Sequence, residues 1–292
     1  MTYAIQTVNS ARIAKFGSGA VIMRSATPLD DDDTLARYAP SVFAEAKHNS
    51  RSARYTYIPT SEVLKGLRNE GFMPFEVRQG GSRDDEKRGF TKHLIRFRHS
   101  GGQVVGDSHR EVVLLNSHDG TSSYQLMSGI FRLVCSNGLV VADGCAQSIR
   151  IPHKGDIVGQ VIDAAYQVID QGEEIDRNVE SMRQLQLTVR EQEAFAEAAS
   201  ALRWPVDDGK APVEPSAINL ARREADRGDD LWRTFNRQQE NLVRGGLGYV
   251  QRDERGYRIA RRETRPVNSI DANTNLNKAL WTLAERMREL KA

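Results

Sequence analysis

Between residues 54 and 142 the apolar side chains recur mostly at every second position, and after Pro152 they recur at every third or fourth. A period of two marks a half-buried strand and a period near 3.6 an amphipathic helix. That single change of period predicts an α+β fold: an antiparallel sheet domain carrying one or more helices, followed by a mainly helical C-terminal region packed on it.

The strand-like runs are specific. RYTYI starts at Arg54, and a second run sets Met73, Phe75 and Val77 on one face. In TKHLIRFRH, His93, Ile95 and Phe97 form an apolar face, while Lys92, Leu94, Arg96 and Arg98 form a largely basic one. Ser100-Gly101-Gly102 reads as a hairpin turn into QVVGDSHREVVLLN, and two further runs follow near Tyr124 and over 131–142. SEVLKGLRNE, closed by Gly71, reads as a helix between the first two runs.

Residues 1–53, with the acidic run Asp30 to Asp33, read as a loosely packed lead-in with one helix over 38–46. Residues 54–152 then form the sheet domain, and 153–292 the helical region with a loop near 205–215. In that region Ile157, Val161, Ala165 and Val168 mark one helix, 173–202 reads as continuous helix up to Trp204-Pro205, and a further helix from Ser216 runs in two pieces around Gly228 to Gly245-Gly246. Leu276, Leu280, Leu283, Met287 and Leu290 make the stripe of a last helix, which can pack on its own domain or on another subunit of a homo-oligomer.

Composition excludes more than it assigns. With 292 residues and 39% hydrophobic content the chain can bury a real core, and 41 Lys+Arg against 39 Asp+Glu leave a charge of +2 that by itself demands neither nucleic acid nor acidic lipid. Cys135 and Cys145 lie ten residues apart without a CxxC or an accompanying His pair, which argues against zinc and against a disulfide scaffold; no metal and no cofactor are expected. No signal-peptide core and no 18-residue apolar stretch occur, so a soluble cytoplasmic protein without membrane contact is expected.

The densest polar stretch is LLNSHDGTSSYQLMSGIFRLVCSNG. Adjacent side chains on an extended segment point to opposite faces, so Ser117, His118 and Asp119 cannot line up as nucleophile, base and orienter. Asp119-Gly120 after a run of β-branched and leucine residues is instead a hairpin signal. An enzyme using His118, Asp119 and Cys135 stays an alternative of unassigned class, with Cys135 more simply a small strand residue.

Basic clustering is the stronger pointer. Residues 51–98 hold eleven Lys/Arg against six acids, and 244–265 seven Arg against three. Arg54 lies beside Tyr55 and Tyr57; Lys92, Arg96 and Arg98 share a strand face; Tyr249 and Tyr257 interleave with Arg252, Arg255, Arg258, Arg261 and Arg262. Cations for phosphates with rings for bases are what a single-strand surface requires. The competing account is a solvated sheet face and an Arg-rich segment paired with its own acids.

The polar stretch also carries a resemblance. Asn116, Ser117, His118, Asp119, Gly120, Thr121 and Ser122, then Arg132, Val134, Cys135 and Asn137, are similar to the signature of the phage/plasmid-like proteins grouped as domain of unknown function 932. YIPTSEVLKGL upstream and NSIDANTNLNKALWTLAERM at the end resemble the same family. The resemblance implies a mobile-element accessory protein in a bacterial host and brings no reaction. The expectation is nucleic-acid binding, single-stranded DNA first, through Arg54, Tyr55, Tyr57, Lys92, Arg96, Arg98, Tyr257, Arg258, Arg261 and Arg262, with His118 and Asp119 organising the turn. An interaction protein acting on a host defence factor is a third reading.

Overall fold

A computed structural model describes residues 4–8, 11–15, 20–46, 57–102, 104–105, 108–132, 137–141, 148–152, 154–205 and 212–291. The chain divides into two units, Met1–Phe131 with Gly144–Gly172, and Arg132–Asp143 with Glu173–Ala292. The division departs from a boundary at 152: the helix after Pro152 belongs with the sheet, and 132–143 with the helices.

The first unit contains β1 (Ala4–Val8), β2 (Ala11–Lys15), β3 (Val21–Arg24), α1 (Asp32–Tyr38), α2 (Thr60–Asn69), β4 (Phe72–Gln79), β5 (His93–His99), β6 (Val104–Val105), β7 (Ser108–Asn116) and β8 (Tyr124–Arg132). After β9 (Asn137–Val140), which lies in the second unit, come β10 (Ile149–Ile151) and α3 (Ile157–Asp170). The sheet order is β1-β2-β3-β4-β5-β7-β8-β10, with β6 beside β7.

Register explains the core. Ile13, Met23, Val77, Ile95 and Leu114 stand opposite one another across five successive strands. They join Val63, Leu64 and Leu67 of α2 and Val161, Ala165 and Val168 of α3 in one buried cluster. The two helices meet closely at Gly66, where an added Cβ would fall 2.7 Å from the Val158 side chain.

Three expectations change in this unit. The lead-in is core, since Ile13 and Met23 are fully buried in sheet strands. Its helix spans Asp32–Tyr38 rather than 38–46, because Asp31 of the acidic run caps it through Asp33 N at 3.1 Å and a 3₁₀ turn, Pro40–Val42, follows. Met73 and Phe75 do not share the face of Val77: the β4–β5 register shifts between Pro74 and Glu76, and this bulge puts Pro74 opposite Phe97 and Val77 opposite Ile95.

The second unit holds β9, α4 (Gly172–Gln184), α5 (Val189–Arg203), α6 (Pro215–Ile218), α7 (Leu231–Arg244), β11 (Gly248–Arg252), β12 (Arg258–Glu263) and α8 (Ile270–Lys291). The continuous helix expected over 173–202 is two helices. Thr188 and Glu191 form a reciprocal capping box that starts α5, a signal that amphipathic period alone passes over. Trp232 and Phe235 of α7 pack edge-on against Trp281 of α8. Leu276 and Leu280 are buried while Leu290 is 83% exposed, so the leucine stripe is used at its N-terminal end.

α7 is buried almost all round, and polar side chains on several of its sides are paired inside. Arg237 donates to Gln192 Oε1, Gln238 to Asn219 Oδ1 and Gln239 to Asn277 Oδ1, each at 2.6 Å. The helix ends at Gly245, whose φ of 68° and closeness to the Thr264 carbonyl, 2.6 Å from an added Cβ, admit only glycine. Arg222 donates to the Gly245 carbonyl and Val267 N to the Val243 carbonyl, which clamps the base of the β11–β12 hairpin.

Candidate nucleic-acid interface

The basic strand face expected from residues 92–98 is an ion-pair layer. Arg24, Glu76 and Arg96 stand directly opposite one another across β3, β4 and β5. Glu76 takes Arg24 at 2.5 Å and also Arg78, while Glu111 takes Arg96 at 2.5 Å and Arg98 at 2.9 Å. Arg96 is 1% exposed. Arg98 is half-buried and lies 4.2 Å from the Phe75 ring centroid. Burial opposes the Glu76 charge, but Arg24, Arg78 and Arg96 outweigh it and hold the carboxyl far below the usual range. The expectation that Arg96 holds phosphate is therefore corrected: a guanidinium enclosed with its carboxylate presents no charge to a ligand. Arg54 and Tyr55 lie outside the described residues.

The motif turn sends its side chains in different directions. Asp119 turns outward and closes the turn, accepting from Thr121 N at 2.9 Å and Thr121 Oγ1 at 2.6 Å. Burial opposes its ionisation, yet the hydrogen bonds from Thr121 and Ser117 and the charge of half-buried Lys92 leave its carboxyl below the usual range. Gly120, at φ 80°, completes the turn between β7 and β8. Ser117 turns inward and receives Ser122 N at 2.8 Å.

His118 goes the other way, into a hub that the sequence reading missed. The Thr60 hydroxyl, on the first residue of α2, lies 2.9 Å from His93 Nε2, 3.1 Å from His118 Nε2, 3.1 Å from Asn116 Nδ2 and 3.2 Å from the Tyr124 hydroxyl. All five side chains are fully buried. Half-buried Tyr57 packs its ring 5.1 Å from that of His118 and donates its hydroxyl to the Ala44 carbonyl.

Proton accounting assigns the tautomers. Ser41 donates its hydroxyl to Gln79 Oε1 at 2.8 Å, so toward His93 Nδ1 at 3.1 Å it can only accept. Nδ1 of His93 therefore carries the proton, and Nε2 takes the proton of Thr60. Tyr124 gives its own proton to the Ile58 carbonyl at 3.1 Å. Thr60 then accepts from Asn116 and from His118, whose Nε2 must be protonated. Burial first, and His118 second, push the His93 imidazole down to about 3, which keeps it neutral.

The hub ties α2 to β5, β7, β8 and the motif turn, and its two imidazoles face one hydroxyl rather than a cleft. Thr60→Val should cost about 3 kcal/mol, because a donor to His93 and an acceptor for Asn116 and His118 are lost inside the core. Thr60→Ser should cost clearly less in the same urea denaturation experiment; equal losses would contradict a hub made by the hydroxyl. Among the described residues, no three His, Cys, Asp or Glu side chains are grouped to hold a metal.

Of the remaining motif residues, Arg132 is buried and paired with Asp226 at 2.6 Å in the second unit. Asn137 begins β9, with its side chain outside the described residues, and Cys135 lies outside them altogether.

The second basic cluster is arranged differently. β11 and β12 form a two-stranded antiparallel ribbon with Tyr249 opposite Arg262, Val250 opposite Arg261, and Arg252 opposite Arg258. Every residue from Gln251 to Ile259 is exposed. Arg262 donates to Gln251 at 3.1 Å and Arg252 to the Gly256 carbonyl at 2.9 Å. Among the described residues, none of Arg252, Arg255, Arg258, Arg261 and Arg262 has a carboxylate partner, whereas Arg68, Arg88, Arg223, Arg233 and Arg286 all do. Gly248, Tyr249, Val250, Gln251, Arg261 and Arg262 border an open groove of about 970 Å³. Sequence reading placed these arginines together; their ribbon form was not anticipated.

Among the described residues, no helix is long and apolar enough to cross a membrane. No solved structure matches the chain. The UPF0380 proteins YfjQ and YafZ of Escherichia coli (strain K12) are each 45% identical to it over 274 residues, covering 94% of this chain and 96% of theirs. The family model described as domain of unknown function (DUF932) matches residues 47–281, which contain the Thr60 hub, the motif turn and the arginine ribbon. The chain belongs to the DUF932 family.

Proposed function

We propose that this protein binds nucleic acid through the β11–β12 ribbon, in keeping with an accessory role on a mobile element. One observation carries the reading: among the described residues, five exposed arginines of one ribbon have no carboxylate partner, while Arg24, Arg78, Arg96 and Arg98 of the sheet are neutralised in place. The ribbon also exposes Asp253, Glu254 and Glu263, so five arginines against three carboxylates leave it net positive. Arg252 and Arg258 directly opposite each other repel, a cost that a bridging phosphate relieves. A guanidinium meets a phosphate through two parallel hydrogen bonds, so the ribbon fits a polyanion better than a hydrophobic partner.

Fluorescence anisotropy with a labelled oligonucleotide tests the reading. If all five arginines contact phosphate, the slope of log affinity against log salt on a single strand should be about −3.5, so raising salt about fourfold weakens binding about 100-fold. The triple variant Arg258→Ala, Arg261→Ala, Arg262→Ala should lower that slope by about 2. Binding without salt dependence, or an unchanged slope in the triple variant, would refute the proposal.

A further inference from the structure

The tip of the ribbon carries more than charge. Tyr257 is 70% exposed and Ile259 58%, both among the nine exposed residues from Gln251 to Ile259, which include three arginines, and Val250 just before them is 39% exposed. The backbone beneath Tyr257 is pinned. Asp253 Oδ1 accepts from Arg255 N at 3.0 Å and from Tyr257 N at 2.7 Å, Asp253 N donates to the Tyr257 carbonyl at 2.9 Å, and Gly256 closes the turn at φ 85°. Arg252 adds a bond to the Gly256 carbonyl at 2.9 Å. The β12 register skips Ile259, which leaves this residue as a bulge beside Arg258.

A pinned backbone presents the ring with little ordering left to do, and a ring has two χ angles to restrict. Its face is a platform for another flat group. In a duplex both faces of each base are covered by neighbours, whereas an unpaired base offers a face for stacking while its phosphates reach flanking guanidiniums. Arg258 follows Tyr257 in the chain, and Arg252 stands opposite Arg258 on the other strand.

We infer that Tyr257 stacks on an unpaired base and makes the ribbon select single-stranded over double-stranded nucleic acid; this rests on the nucleic-acid reading of the ribbon. The test uses the full chain with three labelled DNAs: a single strand, its duplex, and the same strand with abasic sites. Tyr257→Ala should lose about 5- to 150-fold in affinity on the single strand and little on the duplex, while Tyr257→Phe keeps single-strand affinity within about twofold. The wild type on the abasic strand should fall to the level of Tyr257→Ala on the intact one. Salt-dependent binding that Tyr257→Ala leaves unchanged, or weakens equally on strand and duplex, overturns the inference while the arginine reading stands. Absence of salt-dependent binding to any of the three DNAs sinks the arginine reading, and the inference with it.

Discussion

Glu111→Ala should destabilise the first unit by about 3–5 kcal/mol, the range for removing one partner of a buried ion pair. Glu111 side-chain oxygens receive Arg96 at 2.5 Å and Arg98 at 2.9 Å, and the side chains of Glu111 and Arg96 are each 1% exposed. The variant leaves a guanidinium in a site from which water is excluded, and Glu76, the other carboxylate of this layer, is already engaged by Arg24 and Arg78. Desolvation of an uncompensated charge, rather than loss of attraction, supplies most of the cost. A double variant, Arg96→Met with Glu111→Leu, separates the two: it removes the fully buried pair together, leaves only half-buried Arg98 without its carboxylate, and should recover most of the loss. Urea denaturation followed by circular dichroism reads both. A Glu111→Ala variant as stable as wild type would mean that water reaches the layer.

The second large effect is acid sensitivity through His93. Its folded-state value of about 3 lies below the ordinary 6.5, so the unfolded chain takes up the proton first. The neutral, buried form thus contributes stability that is complete above about pH 6.5 and is lost progressively as pH falls toward 3. The loss proceeds at up to about 1.4 kcal/mol per pH unit and reaches about 5 kcal/mol. His109, lowered first by burial and then by Arg98, acts in the same direction. Glu76, also depressed, adds its own loss only below its ordinary value of 4.5. The window between pH 6.5 and 4.5 is therefore the histidine window. His93→Gln, which cannot take a proton there, should be less stable at pH 7 but show a flatter dependence across that window in urea midpoints. An unchanged slope would remove His93 from the explanation and shift it to other groups, His109 among them.

Much of the secondary structure was legible. The helix at Thr60–Asn69, the hairpin around Asp119-Gly120 and the leucine stripe of α8 follow from spacing and turn chemistry. The misses have local causes of another kind. A bulge at Phe75 defeats alternation because it inserts a residue into the period, and the capping box at Thr188 restarts a helix inside a run whose composition does not change.

Site reading failed where it depended on remote chain. Nothing in PTSEV distinguishes Thr60 from Ser61, yet Thr60 is fully buried against residues 33 to 64 positions away, because α2 lands its first turn on β5 and β7. Arg96 and Arg258 look alike in sequence, each an arginine in an alternating basic strand. Arg96 meets Glu111 from a neighbouring strand and is enclosed, and Arg258 meets Arg252 and stays exposed.

By itself, then, the sequence determined the type and order of most elements and the family motif, since period, turn residues and caps act over a few bonds. Only the tertiary structure decided which cations are neutralised and which are presented. Burial and cross-strand pairing bring together residues far apart in the chain, and a charge has the same covalent form whether or not a carboxylate waits beside it.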